Sequence, residues 1–136
     1  MSQQRFLLKG GNVLGGKASD LLIADGRIEE ISASISDKDA TVIDLKGSIL
    51  LPGLVDLHTH LREPGREDSE TVASASRAGA KGGFTALSAM ANTSPVADTA
   101  GVVEQVYRLG QEAGFVDVFP IGAVTQGLHG EQLSEI

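Results

Sequence analysis

The sequence contains no cysteine and no long apolar run. The lack of cysteine excludes a disulfide framework and a thiolate metal site, and it is typical of cytoplasmic proteins. No run approaches the roughly 20 apolar residues of a membrane-spanning helix. The first residues, MSQQRFLLKGGNVLGG, lack the apolar core of a signal peptide. We therefore expect a soluble, cytoplasmic protein.

Basic residues are fewer than acidic ones, with 11 lysines and arginines against 18 aspartates and glutamates, so the net charge is −7. Such a charge argues against non-specific binding of nucleic acid or of an anionic membrane surface, and we expect neither partner. The length of 136 residues suits one compact domain or two small ones. The hydrophobic fraction of 41% and the 17 glycines are ordinary for a soluble α/β protein.

The first 50 residues predict short β-strands joined by tight turns. The clearest signal is DLLIADGRIEEI, in which Asp25 and Gly26 separate two apolar runs. An Asp-Gly pair in that position is what a type I′ hairpin turn demands. A second glycine turn, at Lys46-Gly47, separates TVIDL from SILLPG.

After residue 53, strands and helices alternate. LVDLHTH, FTALSAM and FVDVFPIGAV predict three strands. DSETVASASRAGAKGG predicts a helix with Asp68 or Ser69 as its N-cap and the Gly82-Gly83 pair at its end. TAGVVEQVYRLGQEAG predicts a second helix that ends at Gly114. One face of this helix carries its apolar residues, Val102, Val103, Val106 and Leu109. Alternation at this spacing predicts a parallel sheet built from βαβ units.

Two histidines end the first of these strands, in the stretch LPGLVDLHTHLREPG. Residues i and i+2 of a strand share a face and lie roughly 6.6 Å apart, so His58 and His60 are expected to point the same way, and Arg62 has the same parity. Active sites of parallel α/β folds collect at the carboxyl ends of strands, and neutral imidazole suits zinc and similar ions. We therefore predict a metal site. The alternative is a histidine that caps a helix or loop beside a hydrogen-bonded core histidine.

Asp56 has the same parity as the two histidines. It is expected on their face of the strand, where a carboxylate can orient a metal-bound imidazole. A purely structural hydrogen bond is the alternative for this residue.

The stretch GLVDLHTHLREPG resembles the first-strand signature of the cyclic amidohydrolases, and most closely that of the dihydroorotases. The resemblance continues through EDSETVASASRAGAKGGFTALSAMANTSPVADT and reaches the end of the chain in GAVTQGLHGEQLSEI. It implies an α/β fold in which residues 51–136 begin a (β/α)8 TIM-type barrel and residues 1–50 form part of a small β-sandwich subdomain. A full barrel takes roughly 250 residues, so we expect an incomplete barrel in this chain.

The resemblance also implies roles for four residues. His58 and His60 match two metal ligands of the family, with one or two zinc ions as the cofactor. Arg62 and Asn92 match the residues that hold the carboxylate of the substrate, a role that suits a guanidinium and an amide. Taken alone, Arg62 would be a solvated surface residue and Asn92 a turn residue.

The sequence departs from the family pattern at one position. The family's Met-Pro-Asn-Thr loop reads Met-Ala-Asn-Thr here, which loosens the loop but keeps the asparagine. Lys81 and His129 are expected to lie outside the site. A hydrolytic zinc site takes at least three protein ligands, so the remaining ligands and a catalytic aspartate are expected beyond Ile136.

The activity that the resemblance implies is that of a zinc-dependent hydrolase acting on a cyclic amide. The closest reaction is that of dihydroorotase, which interconverts N-carbamoyl-L-aspartate and L-dihydroorotate in de novo pyrimidine biosynthesis. One alternative is a hydantoinase or allantoinase type of cyclic amidohydrolase. Another is a truncated fragment or pseudoenzyme that binds a partner without catalysis. The expected partners are a small-molecule substrate with a carboxylate, and either a second copy of the chain or other pyrimidine-pathway enzymes. The 136 residues alone are expected to be inactive.

Overall fold

The computed structural model describes residues 4–136. The chain divides into two compact units, Met1–Pro52 and Gly53–Ile136. Strands make up the regular structure of the first unit, and strands alternate with helices in the second. Among the described residues, neither helix combines the length and the apolarity that a membrane crossing requires.

A five-stranded sheet forms the first unit. Its strands are β1 (Arg5–Val13), β2 (Ala18–Ala24), β3 (Arg27–Ser32), β4 (Thr41–Asp44) and β5 (Ile49–Leu50). The order is β3-β2-β1-β4, and β5 also pairs with β1. The hairpin predicted at Asp25-Gly26 is confirmed. These two residues separate β2 from β3, and their φ angles of 51° and 74° are the positive values that a type I′ turn requires.

Charged groups hold the first unit together beside its apolar core of Leu7, Leu22 and Ile35. Asp20 is buried, and its carboxylate accepts the backbone N–H groups of Ile35 at 3.0 Å and Gly10 at 2.9 Å. These two bonds, the first above all, hold the pKa of Asp20 below its ordinary value. The core of this small unit therefore depends on an ionised carboxylate.

An ion pair joins the start of β1 to the loop after β3. The Arg5 guanidinium donates to Asp37 Oδ2 at 2.7 Å, and it also contacts Glu29 at 2.7 Å. The hydrogen bond from Arg5 is the main cause that lowers the pKa of Asp37. The loop is thus held to the sheet by charge.

A parallel three-stranded sheet with two helices forms the second unit. Its elements are β6 (Leu54–Thr59), α1 (Val72–Lys81), β7 (Phe84–Ala89), α2 (Ala100–Ala113), β8 (Asp117–Pro120) and a short 3-10 helix (Gln126–Leu128). The strand order is β6-β7-β8 and both pairings are parallel, so the predicted βαβ arrangement is confirmed.

The predicted start of α1 is wrong. The helix begins after Thr71, whose side chain accepts the N–H of Ser74 at 3.1 Å, and not after Asp68 or Ser69. Glu63 contributes as well, because its Oε2 accepts the N–H of Val72 at 2.8 Å. Acidic groups stabilise the positive end of a helix dipole, so a carboxylate from the preceding loop fixes where this helix starts.

The other helix ends follow the prediction, whereas the third strand is shorter than predicted. Helix α1 ends at Gly82, and α2 ends at Gly114, which has a φ of 65°. Strand β8 stops at Pro120, whereas the sequence predicted a strand up to Val124. A single further bond, from the N–H of Ile121 to the carbonyl of Ala89, continues the pairing.

The core of the second unit lies between the sheet and the helices. It is formed by Leu61, Val72, Leu87, Ala89, Val106, Val116 and Val118. Helix α2 approaches β8 very closely, since a Cβ at Gly110 would lie 2.5 Å from the Cβ of Val118. The other side of the sheet, here called the open face, carries the paired residues Val55, Ala86 and Asp117, and also Ser88 and Phe119. On it, Val55 is 56% exposed and Phe119 is 53% exposed.

Candidate metal centre

Two imidazoles lie together at the carboxyl end of β6. The ring centroids of His58 and His60 are 5.3 Å apart, with an angle of 66° between the ring planes. Both side chains are exposed. The predicted approach of the two rings is observed, and their role as ligands of one ion stays a prediction.

A bulge in β6 lies between Asp56 and Thr59 and includes His58. Asp56 pairs with Leu87 and Thr59 pairs with Ala89, so β6 has one more residue than β7 over this stretch. Leu87 and Ala89 face the helices, and Asp56 lines a cavity of about 320 Å³ together with residues of α1. The extra residue interrupts the alternation of faces between Asp56 and Thr59, so parity alone does not place Asp56 beside the histidines, although His60 lines the same cavity.

Asp56 forms the structural hydrogen bond that was the alternative for it. Its Oδ1 accepts the backbone N–H of His58 at 2.9 Å. This bond supports the main chain at the first histidine. Asp56 therefore acts on the strand and not on an imidazole.

Asn92 contacts the second histidine directly. The Oδ1 atom of Asn92 lies 2.8 Å from Nδ1 of His60. His58, by contrast, makes no side-chain hydrogen bond within residues 4–136. The structure thus brings together three of the four residues predicted for the site.

Arg62 lies in the loop after β6 and has an unusual backbone conformation. Its φ is 66°, in the left-handed region that non-glycine residues rarely adopt. The side chain is half-buried and forms no ion pair or hydrogen bond within residues 4–136. Strained backbone of this kind is concentrated at functional sites, and the guanidinium is available for a ligand.

The loop after β6 and the loop after β7 are joined to each other. The N–H of Ser94 donates to the carbonyl of Pro64 at 2.9 Å. Gly65 has a φ of 101°, and a Cβ there would overlap the carbonyl oxygen of Ser94. The backbone N–H of Gly65 also donates to Glu67 at 2.8 Å and holds the pKa of that carboxyl below its ordinary value. These contacts hold the loop that carries Arg62 and the loop that carries Asn92 together.

The loop after β8 is hydrogen-bonded to the loop after β7. Asp98 accepts the N–H of Gly127 at 2.7 Å, and the N–H of Ala123 donates to the carbonyl of Ala97 at 2.7 Å. Ala91, the residue at the departure from the family pattern, is buried against Ala97 and Ala123. The three loops at the carboxyl ends of the strands therefore form one connected layer.

Within residues 4–136, the side chains of Lys81 and His129 form no hydrogen bond or ion pair with the four predicted site residues. Lys81 is the last residue of α1 and is exposed. His129 is exposed at the end of the 3-10 helix, beside Gly127.

Glu63 and Asp98 are organising residues that the sequence analysis missed. An acidic residue shortly before a helix is the signal that could have identified Glu63. Asp98 carries no such signal, because its partner is 29 residues away.

The donor set fits part of a metal centre. Neutral imidazoles are good ligands for zinc and similar divalent ions, and two of them lie close together here. Within residues 4–136, however, no group of three or more His, Cys, Asp or Glu residues is arranged to hold an ion. His58 and His60 therefore fit as two ligands of a site that needs further donors.

Comparison with known proteins identifies the family. A family model described as dihydro-orotase-like matches residues 47–136. The dihydroorotase of Streptomyces coelicolor is 61% identical over 132 residues, which are 97% of this chain and 31% of that protein. The dihydroorotase of Leifsonia xyli subsp. xyli is 60% identical over 136 residues, 100% of this chain and 31% of that protein. The chain thus spans about a third of the length of these curated relatives.

Solved structures share the fold. The L-hydantoinase (dihydropyrimidinase) of Arthrobacter aurescens superposes with a TM-score of 0.74 at 24% identity, over 91% of this chain and 28% of that one. A dihydroorotase superposes with a TM-score of 0.56 at 18% identity, over 92% of this chain and 32% of that one. At identities below 25%, these structures show similarity of fold alone. Together with the match of the family model over residues 47–136, the comparisons establish that the chain belongs to the dihydro-orotase-like family.

Proposed function

We propose that this chain supplies two metal ligands and the carboxylate-binding residues of a dihydroorotase, which interconverts N-carbamoyl-L-aspartate and L-dihydroorotate in pyrimidine biosynthesis. The observation that carries the proposal is the meeting of His58, His60 and Asn92 at the carboxyl ends of β6 and β7. Identity of 61% to a protein named dihydroorotase favours this substrate over a hydantoin.

Zinc is the proposed metal, with His58 and His60 as two of its ligands. The chemistry that such an ion supplies is Lewis-acid activation of water and of an amide carbonyl. The contribution of this chain is to hold two neutral imidazoles at one point. Further donors from outside the described residues would complete the site, since hydrolytic zinc sites take at least three protein ligands.

Arg62 and Asn92 are the proposed binding residues for the substrate carboxylate. A guanidinium can bind a carboxylate through two parallel hydrogen bonds. The amide Nδ2 of Asn92 remains a donor while its Oδ1 is occupied by His60. Both residues belong to the joined loops, so their positions are set before a substrate arrives.

The proposed architecture is the beginning of a (β/α)8 barrel in residues 51–136, with residues 1–50 as part of a β-sandwich subdomain. The parallel order β6-β7-β8 with helices on one side supports this proposal. So does the open face, which is apolar and exposed at Val55 and Phe119, as the interior face of a barrel strand is before the barrel closes.

A chimaera tests the function. Residues 1–136 replace the matching part of the Streptomyces coelicolor relative, which supplies the rest of the protein. We expect the chimaera to bind zinc and to hydrolyse dihydroorotate, and the same chimaera with His58→Gln to lose turnover. A hydantoin without a carboxylate should be a poor substrate. A folded, zinc-loaded chimaera without dihydroorotate turnover, or with a preference for the hydantoin, would contradict the proposal.

A further inference from the structure

The contact between Asn92 and His60 bears on which ring nitrogen carries the proton. Oδ1 of Asn92 lies 2.8 Å from Nδ1 of His60. An amide oxygen can only accept a hydrogen bond, so with Oδ1 facing the ring the contact is a hydrogen bond when Nδ1 carries the proton. The lone pair of the neutral ring is then on Nε2. A neutral histidine without such a partner favours the opposite tautomer, with its proton on Nε2.

The main chain is fixed on both sides of this contact. Before His60, Thr59 Oγ1 donates to the carbonyl of Ser88 at 2.8 Å, and the carbonyl of Thr59 accepts the N–H of Met90 at 2.8 Å. After His60, Leu61 is only 3% exposed and belongs to the core. The histidine is therefore held between two anchored neighbours.

The loop that carries Asn92 is anchored in the same way. The carbonyl of Ala91 accepts the N–H of Ala97 at 3.0 Å, and Thr93 Oγ1 donates to the carbonyl of Pro95 at 2.8 Å. The N–H of Ser94 donates a hydrogen bond to the carbonyl of Pro64 in the loop after β6. The short distance between the amide and the imidazole is thus set by backbone contacts on two neighbouring strands.

We infer that Asn92 is a positioning residue for His60, which holds the ring in the Nδ1–H tautomer and presents Nε2 to a metal ion. In the proposed function, on which this statement rests, the same amide keeps Nδ2 free for the substrate carboxylate. One side chain therefore links the metal subsite to the substrate subsite. His58 has no such partner within residues 4–136, so the two imidazoles differ in how far they are oriented in advance.

The first test reads the tautomer directly in the metal-free chain. The chain has three histidines, so labelling only histidine nitrogens gives a simple spectrum. Magic-angle-spinning NMR of the sedimented full chain, at about pH 8 where an ordinary imidazole is neutral, does not require a monomer. His58→Gln and His129→Gln variants assign the signals. We expect the Nδ1–H form for His60 and the Nε2–H form for His58. The Nε2–H form for His60 in the unsubstituted chain would overturn the inference.

Two substitutions of Asn92 separate its two proposed roles. Asn92→Leu removes the acceptor, so His60 should revert to the Nε2–H form and zinc affinity should fall by about tenfold or more, as is common when a partner of a metal ligand is lost. Asn92→Asp keeps the acceptor, so the Nδ1–H form and the zinc affinity should be retained. Gln111→Leu, the same kind of change at an exposed amide of α2, is the control and should change neither quantity.

The chimaera described above distinguishes failure of this inference from failure of the proposed function. Asn92→Asp should raise KM for dihydroorotate by about tenfold or more, because a carboxylate repels the substrate where an amide binds it, while zinc content is unchanged. If the chimaera has no turnover but the tautomer and zinc results are as expected, the function is wrong and the positioning role stands. If Asn92→Leu raises KM while tautomer and zinc affinity are unaltered, Asn92 binds substrate only and the inference is wrong.

Discussion

Arg62 is the residue proposed to bind the substrate carboxylate without holding the metal. It combines a left-handed backbone conformation with a guanidinium that has no partner within residues 4–136. In the chimaera, Arg62→Ala should raise KM for dihydroorotate by about 10- to 100-fold, since a hydrogen bond to a charged group contributes about 1.5–3 kcal/mol. Zinc content, measured by atomic absorption, should not change.

Arg66 provides the matched control for this prediction. It is an exposed arginine on the same loop, four residues further along, and only its backbone takes part in the contacts of the loop. Arg66→Ala should leave KM unaltered. Loss of zinc from the Arg62→Ala protein in proportion to its loss of activity would show that Arg62 supports the metal and not the substrate.

Gly65 is predicted to be irreplaceable in the joined loops. Its φ of 101° disfavours any side chain, and a Cβ would overlap the carbonyl of Ser94. Gly65→Ala should lower the free energy of unfolding by roughly 2–5 kcal/mol, from the strained backbone and from overpacking. The measurement is the urea denaturation midpoint, followed by circular dichroism.

Gly101 is the control for the substitution of Gly65. It lies in α2, and a Cβ there would meet nothing within 4 Å. Gly101→Ala should be neutral or stabilise by up to about 1 kcal/mol, because alanine favours the helix. Equal midpoints for the two variants would mean that the loops separate easily and that Gly65 is not a constraint.

At the scale of the element, the β-sheet of the first unit should be sensitive to acid. Backbone N–H groups of Ile35 and Gly10 lower the pKa of Asp20, and Arg5 lowers that of Asp37, both below the ordinary value of 3.8. A carboxyl with a lowered pKa in the folded state stabilises the fold above the unfolded value, and this contribution is lost as pH falls through the folded pKa. The urea midpoint should therefore drop below about pH 4.

Asp20→Asn should show whether this carboxylate is the cause. The variant should be less stable than the unsubstituted chain at about pH 7, and the difference should shrink as pH falls below about 4 through the lowered pKa of Asp20, because the carboxylate then becomes protonated in the folded state as well. Asp25→Asn, at the tip of the hairpin, controls for the loss of one negative charge, and asparagine also tolerates a positive φ there. A constant difference between Asp20→Asn and the unsubstituted chain across this range would contradict the explanation.

The elements that could be predicted from the sequence are those with local signals. Gly114 ends α2 because it adopts a positive φ, and Asp25-Gly26 closes its hairpin for the same reason. The start of α1 could not be predicted, because the decisive carboxylate of Glu63 lies nine residues before the N–H that it accepts. Strand β8 is shorter than predicted for a similar reason, since its extent depends on pairing with β7.

The candidate site could be predicted in composition but not in arrangement. The spacing of His58 and His60 was enough to predict that their rings lie close together. The bulge between Asp56 and Thr59 is visible only when β6 is paired with β7. The contact of Asn92 with His60 depends on the joining of two loops through Ser94 and Pro64, and no local pattern encodes that joining.

At the scale of the whole molecule, residues 1–136 expressed alone should associate and should not hydrolyse dihydroorotate. The open face exposes Val55 and Phe119, and exposed apolar sheet surface of this kind drives association. Two imidazoles without a third donor among the described residues would bind zinc weakly. Light scattering and an assay with zinc present test both statements. A monodisperse monomer that turns over dihydroorotate would contradict them.

Two phenylalanines with similar exposure test the role of the open face. Phe119 is 53% exposed on that face, and Phe115 is 50% exposed outside the strands. Phe119→Ser should reduce association measurably, whereas Phe115→Ser should reduce it less. An equal effect of the two substitutions would mean that general surface apolarity, and not the open face, causes association.

The bulge in β6 has a consequence for transplanting this motif into another protein. On a regular strand, the segment from Asp56 to His60 would place the carboxylate and both imidazoles on one face, because alternate residues share a face. A metal ion there would gain an anionic donor, which partly neutralises its charge and weakens its pull on a substrate. A designer who copies the residues must therefore also copy the extra residue between Asp56 and Thr59, since without it the regular alternation of faces would return.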